Sequence, residues 1–164
     1  MLTWTDERFR SLERIDSSPF EDESFLQEAQ FTLLQMNSSL GQLAILFEMR
    51  QALNVLPGNT CVLIARGIYE FHWEAETRLN DRVAHSVVGM KMDHQEGLFR
   101  IQLQCFPNAF LFARSLSATF VLGDAQGLSA APPDYVDSSP ERIARDTAGW
   151  ESRFDPHSFA QFGS

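Results

Sequence analysis

The sequence has 164 residues, 44% of them hydrophobic and 21% charged, with a formal net charge of −9. That length suits one domain able to bury roughly 70% of the surface its unfolded chain exposes. It contains no apolar run of the about 18 residues that a membrane span needs, and its acidity disfavours nucleic acid and anionic lipid as partners.

In chain order, TDERFRSLERI (5–15) predicts a helix. Thr5 can cap it, Asp6 and Glu7 suit its positive end, and Phe9 and Leu12 share a face. Residues 16–24 combine Pro19 with serines and acids, and read as a loop. Two apolar runs, 31–36 and QLAILFEM (42–49), flank the turn residues Asn37 to Gly41 and predict a hairpin, although FLQEAQFTLLQM (25–36) also fits a helical stripe. NVLPGN (54–59) predicts a second turn.

The next stretch, TCVLIARGIYEFHWEAE (60–76), alternates by twos. Its odd positions run from Cys61 to Ala75 without a charge and include Tyr69, Phe71 and Trp73. Its even positions begin with Val62 and Ile64 and then, Ile68 apart, turn polar as Arg66, Glu70, His72, Glu74 and Glu76. This is a long strand with one wet face, and Gly67 marks a bulge or bend within it. VAHSVVGMKM (83–92) and LFRIQLQCF (98–106) predict two more strands around the turn DHQEG. AFLFARSLSATFVLGD follows the Pro107-Asn108 turn as one strand, or as two broken near Ser115.

After Gly123 the composition shifts, and residues 129–140, which begin SAAPPDYVD, read as a loop rich in Pro, Ser and Asp. Ser139, Pro140 and Glu141 predict the start of a short helix, with Gly149 as its stop. The tail carries Trp150, Phe154, Phe159 and Phe162, which predict that it packs back onto the sheet. The expected fold is α+β and mostly β. An antiparallel meander of about six strands, open or partly closed as a barrel, has a helix before it and a short helix plus acidic loop after it. It forms one domain, with an acidic start (1–28), the sheet (29–123) and an acidic end (124–164).

The charge is unevenly placed. Residues 1–28 hold eight acids and three bases, residues 29–120 seven of each, and residues 121–164 seven acids and three bases. Two acidic ends around a neutral sheet suit a cationic partner. His72 with Glu74 and Glu76 could form a base and its orienter, a metal site completed from elsewhere, or a solvated face. However, no nucleophile elbow, phosphate loop, dinucleotide glycine pattern or zinc-protease helix is present. No catalytic residue, metal ligand or cofactor is therefore assigned. Cys61 and Cys105 sit in apolar runs and are expected to be buried thiols. Together with a start that lacks the apolar stretch of a signal peptide, they suggest the cytoplasm.

The segment Pro132 to Asp137 (PPDYVD) interleaves acids with a tyrosine in a loop stiffened by two prolines. Asp134, Tyr135 and Asp137, with Glu74 and Glu76 as a second patch, are the candidate partner-binding residues. Tyr135 would be the anchor, and the carboxylates would steer and hydrogen-bond a basic surface. The alternatives are a carrier or enzyme whose aromatic row lines a pocket, and a subunit of a larger assembly docked through the Phe-rich tail. Homo-oligomerisation is left open.

The strand pair around LGQLAILFEMR, then NTCVLIARGIYEFHWE and GLFRIQLQCFPNAFLFA, also carry a resemblance. This middle of the chain resembles small bacterial immunity proteins, the antidotes encoded beside polymorphic or contact-dependent toxins. The resemblance implies a non-enzymatic inhibitor that masks a basic site on its toxin, such as a nuclease cleft. It brings no set of functional residues with it.

Overall fold

The computed structural model describes residues 12–15, 19–53, 56–76 and 82–163. These contain β1 (Glu13–Arg14), β2 (Gln30–Asn37), β3 (Gln42–Glu48), β4 (Thr60–Ala75), β5 (His85–Gln95), β6 (Leu98–Phe106), β7 (Ala109–Ala125), α1 (Pro140–Asp146) and β8 (Phe154–Phe162). The strands form one sheet in the order β1-β8-β7-β4-β3-β2-β5-β6, and a further β7–β6 pairing closes β2 to β7 into a ring of six. Neighbours in the ring are antiparallel. The mostly-β antiparallel expectation is met, and the sheet closes as a barrel.

β4 and β7 carry that closure, pairing from Thr60↔Gly123 to Ala75↔Ala109. β7 is one unbroken strand. Near Ser115 it changes neighbours, lying beside β6 over Ala109 to Ser115 and beside β8 over Ala118 to Ala125. A two-residue turn joins β5 to β6 with positive φ at both Glu96 (56°) and Gly97 (79°), the backbone that twisted hairpins favour.

The two halves of β4 explain its change of character. Cys61, Leu63 and Ala65 face the barrel interior. Val62 and Ile64 face out, yet with Leu46 and Val121 they form a second buried cluster under Leu12, Leu33, Trp150, Phe154 and Phe159. The C-terminal strand is thus the cover that makes the first half apolar on both faces. Beyond Gly67 (φ 65°) the register slips between Ile68 and Glu70. The slip turns Tyr69 outward, 74% exposed, although it belongs to the uncharged row opposite the wet face. Phe71 and Trp73 return to the interior cluster.

The interior is filled from within the chain. Residues 19–29 cross the barrel, and Phe25, Leu26 and Ala29 are fully buried. The Phe20 ring lies 5.3 Å from Phe99 and 5.4 Å from Phe120, and Phe25 lies 5.5 Å from Phe120. Trp73 stacks on Phe31 at 4.7 Å. Rings packed at such separations form a dry core. Phe71 and Trp73 are partly buried against it.

Among the described residues, the part of the expected N-terminal helix that can be seen is not helical. Residues 5–11 fall outside the described segments, as do 16–18 of the expected loop and Asn54-Val55 of the second turn. Glu13 and Arg14 are strand, parallel to β8 at Ser158 and Phe159. Ile15 N donates to Phe159 O at 3.0 Å. An open β8 edge offers backbone partners that outweigh a weak local helix preference. The helical option over 25–36 is also overridden, since residues 21–28 are turns and 30–37 form β2.

On the strands, Asp93 and Asp124 are each held below the usual range by a side-chain partner. Asp93 is lowered first by the Arg100 hydrogen bond, and Asp124 first by His157, whose Nε2 lies 2.8 Å from Oδ2. A lowered folded-state pKa contributes stability above the unfolded value of about 3.9, and that stability is lost as pH falls through the folded value. The Asp93→Asn/Asp124→Asn double variant is therefore expected to show a smaller drop in Tm between pH 6 and pH 3 than the wild type. Parallel acid-melting curves check this.

Candidate functional site

Arg50 organises a polar site that joins the sheet to the 129–146 segment. It follows the end of β3, where Glu48 is buried. Its Nε donates to Glu48 Oε1 at 2.8 Å and its Nη2 to Glu48 Oε2 at 2.5 Å. Nη1 reaches Ser129 O (2.7 Å) and Ala131 O (3.2 Å), and Nη2 also reaches Asp146 O (2.6 Å). Side-chain exposure is 6% for Arg50 and 1% for Glu48. Burial alone would lower the Arg50 pKa, but the Glu48 hydrogen bond and charge outweigh it and the value rises. A rigid guanidinium fork thus ties the sheet to both ends of the 129–146 segment.

The loop so held leads into α1. Ser139 caps the helix, accepting from Arg142 N at 3.3 Å, with Pro140 at its first position and Glu141 in its first turn. Asp134 Oδ1 accepts from Val136 N (2.9 Å) and Asp137 N (2.8 Å). These bonds, Asp137's first, hold the Asp134 carboxyl below its ordinary range. Asp134 and Asp137 both face solvent. Tyr135 turns the other way. Its hydroxyl is buried, and burial pushes the phenol up, with the neighbouring Thr147 hydroxyl acting against that shift.

Tyr135 is therefore one wall of a cavity of about 310 Å³ between this loop and the sheet. The start of β2 (Gln30, Phe31), residues Val83 and Ala84, Ile143 of α1 and Thr147 just after it also line it. The cavity lies outside the barrel core, and Tyr69, Phe71 and Trp73 are not among its lining residues.

Glu74, on the second half of β4, and Glu76, just past its end, are exposed. Asn108 Nδ2 donates to Glu76 Oε2 at 3.0 Å, and His72 Nε2 lies 3.5 Å from Glu74 Oε2. Both members of the His72–Glu74 pair are largely exposed, at 57% and 73%. Among the described residues, no three His, Cys, Asp or Glu side chains converge as metal ligands would.

One short segment makes contact beside both acidic places. Arg82 Nη1 donates to Ser138 O, beside Asp137. His85 Nδ1 donates to Pro107 O, beside the Asn108 that holds Glu76. Residues 82–85 thus touch the loop that carries Asp137 and the turn that carries Asn108, while the Tyr135 hydroxyl is buried.

Gln30, Arg50 and Thr147 escaped the sequence reading. The pattern Glu48-x-Arg50 at a strand end was a usable sign of an ion pair. Gln30 and Thr147 gave none, because a single amide or hydroxyl beside an apolar run is an ordinary surface pattern.

A scan of the sequence against protein-family models finds no match, and a search against curated proteins finds none either.

Proposed function

We propose that this protein is a non-enzymatic, acidic protein-binding module of the immunity type, which captures a basic partner protein and masks its active surface. The observation that supports this most is the display of its carboxylates. Glu21, Glu23 and Glu28 in the 19–29 segment, Glu74 on β4 and Glu76 just after it, and Asp134 and Asp137 in the loop are all exposed. Arginines of the sheet are meanwhile engaged by acids of the sheet, as in Arg50–Glu48, Arg100–Asp93 and Arg114–Glu70. Internal neutralisation does claim Asp146, which lies 3.5 Å from Arg145 and 3.8 Å from Arg142. The remaining field is negative and attracts a cationic face from a distance.

In this reading Asp134 and Asp137 steer the partner and hydrogen-bond its Arg or Lys side chains, with Glu74 and Glu76 extending the patch. Tyr135 supports the loop from beneath. A basic nuclease-type toxin is the proposed partner, and the cytoplasm the proposed compartment.

The experiment is to isolate the partner from the native host and measure its association with the wild type and with Asp134→Asn/Asp137→Asn. Asparagine keeps the side-chain oxygen that accepts from Val136 N and Asp137 N, so the loop survives and the charge alone is removed. Association is expected to slow by roughly tenfold, with little change in Tm. An unchanged rate would remove the loop carboxylates from the interface.

A further inference from the structure

The second half of β4 leaves one flank of the sheet open. From Thr60 to Arg66 the strand has β7 on one side and β3 on the other, but the β3 ladder ends at the pair Gln42↔Arg66. Ile68 N donates to Gly41 O at 3.0 Å, and Glu76 N to Asn108 O at 2.9 Å. Between these two bonds, among the described residues, β7 is the one strand that pairs with residues 69–75, and no loop backbone bonds to them. Half the N–H and C=O groups of such an edge point away from the sheet, ready to pair with another chain.

The side chains along the edge define what can join it. Glu70, His72 and Glu74 alternate along its exposed face, while Phe71, Trp73 and Ala75 turn toward the interior cluster and are only partly buried. Glu70 has Arg114 at 3.6 Å and Glu74 has His72 at 3.5 Å, yet the two carboxylate side chains stay 52% and 73% exposed. Two copies are poorly suited to share this edge. An antiparallel pair centred on His72 sets Glu70 of each copy against Glu74 of the other, and like charges directly opposite destabilise a ladder. A strand with Lys or Arg at the outward positions meets the opposite sign instead. Apolar residues at its inward positions extend the partly buried row of Phe71, Trp73 and Ala75.

We propose that residues 69–75 of β4 are a docking edge for an extended segment of the basic partner, one that alternates Lys or Arg with apolar residues and adds to the sheet as a further strand. This rests on the reading of the protein as an acidic binding module, and names how the partner is held. Backbone hydrogen bonds supply affinity whatever the sequence, and the alternation of side chains selects the segment. Its basic side chains lie across from Glu70 and Glu74. At roughly 3.4 Å per residue the edge is about 24 Å long, enough for a short peptide strand.

The test is an NMR titration of the full chain with the peptide acetyl-TKVKVKVKT-amide. Its controls are acetyl-TEVEVEVET-amide and the lysine peptide methylated at every second backbone nitrogen, made in both frames. The lysine peptide is expected to shift the backbone signals of residues 69–75 below about 5 mM and to slow their amide exchange. The glutamate peptide should bind roughly tenfold more weakly or worse. Methylation in one of the two frames should abolish binding, because it removes the N–H groups aimed at β4. Glu70→Gln/Glu74→Gln should weaken the lysine peptide roughly fivefold, with Tm within about 2 °C of the wild type. No shift up to about 5 mM, or shifts centred outside β4, would overturn the proposal. Equal binding by the glutamate peptide, by both methylated peptides or by the double variant would overturn it too. The titration uses no partner, so its failure leaves the association experiment with Asp134→Asn/Asp137→Asn standing, and failure of that experiment leaves a bound lysine peptide standing.

Discussion

Arg50→Met is expected to destabilise the protein by about 3–5 kcal/mol, because it leaves the buried Glu48 carboxylate without its counter-ion. Glu48 is 1% exposed at its side chain and has Arg50 as its ion-pair partner. The same change releases the carbonyls of Ser129, Ala131 and Asp146, which fasten the loop and α1 to the sheet. Denaturant melts should therefore show the loss, and hydrogen exchange should rise across residues 129–147 more than in β6 or β7. The double variant Glu48→Met/Arg50→Met should recover much of the global stability, since an apolar pair can fill the space of a buried ion pair. It should not restore protection of the loop. A double variant as unstable as the single one would show that the charge pair is not the reason for the loss.

Phe120→Ala is the second large effect, at about 3–5 kcal/mol for a fully buried aromatic. Phe120 sits on β7 between Leu63 of β4 and Ala160 of β8, and its ring meets Phe20 and Phe25. It thus joins the barrel wall to the segment that fills the barrel. For a chain of this size the loss corresponds to a Tm lower by roughly 10 °C. Exchange should rise in residues 19–29 together with β7, because the segment loses the ring against which it packs. A Tm within about 2 °C of the wild type would mean that the interior is looser than the packing described above.

Much of the sheet was legible because its strands follow the period-two rule with little interruption. LFRIQLQCF alternates cleanly, and its Phe99, Ile101, Leu103 and Cys105 are the buried positions of β6. The β2–β3 and β5–β6 turns lie in NSSLG and DHQEG, where residues suited to tight turns interrupt the apolar runs. What failed was decided by distant contacts. Glu13 and Arg14 are strand because β8, nearly 150 residues on, offers them an edge. Tyr69 is outside because a register slip, which alternation alone cannot show, follows Gly67.

The site was harder to read than the fold. The loop acids were visible as charge, and Asp134 and Asp137 are exposed. The segment that carries Tyr135 is held by Arg50, whose contacts with Ser129 and Ala131 span about 80 positions. Gln30 and Thr147 meet across a cavity that exists only once the 129–147 segment is laid over β2.

The most direct test of the proposed role is the association rate of the wild-type protein with its isolated partner across an ionic-strength series from about 20 to 500 mM NaCl. Attraction by displayed carboxylates predicts a rate that falls steeply as salt rises, by roughly tenfold or more over that range. A rate constant that stays level throughout the series would contradict it.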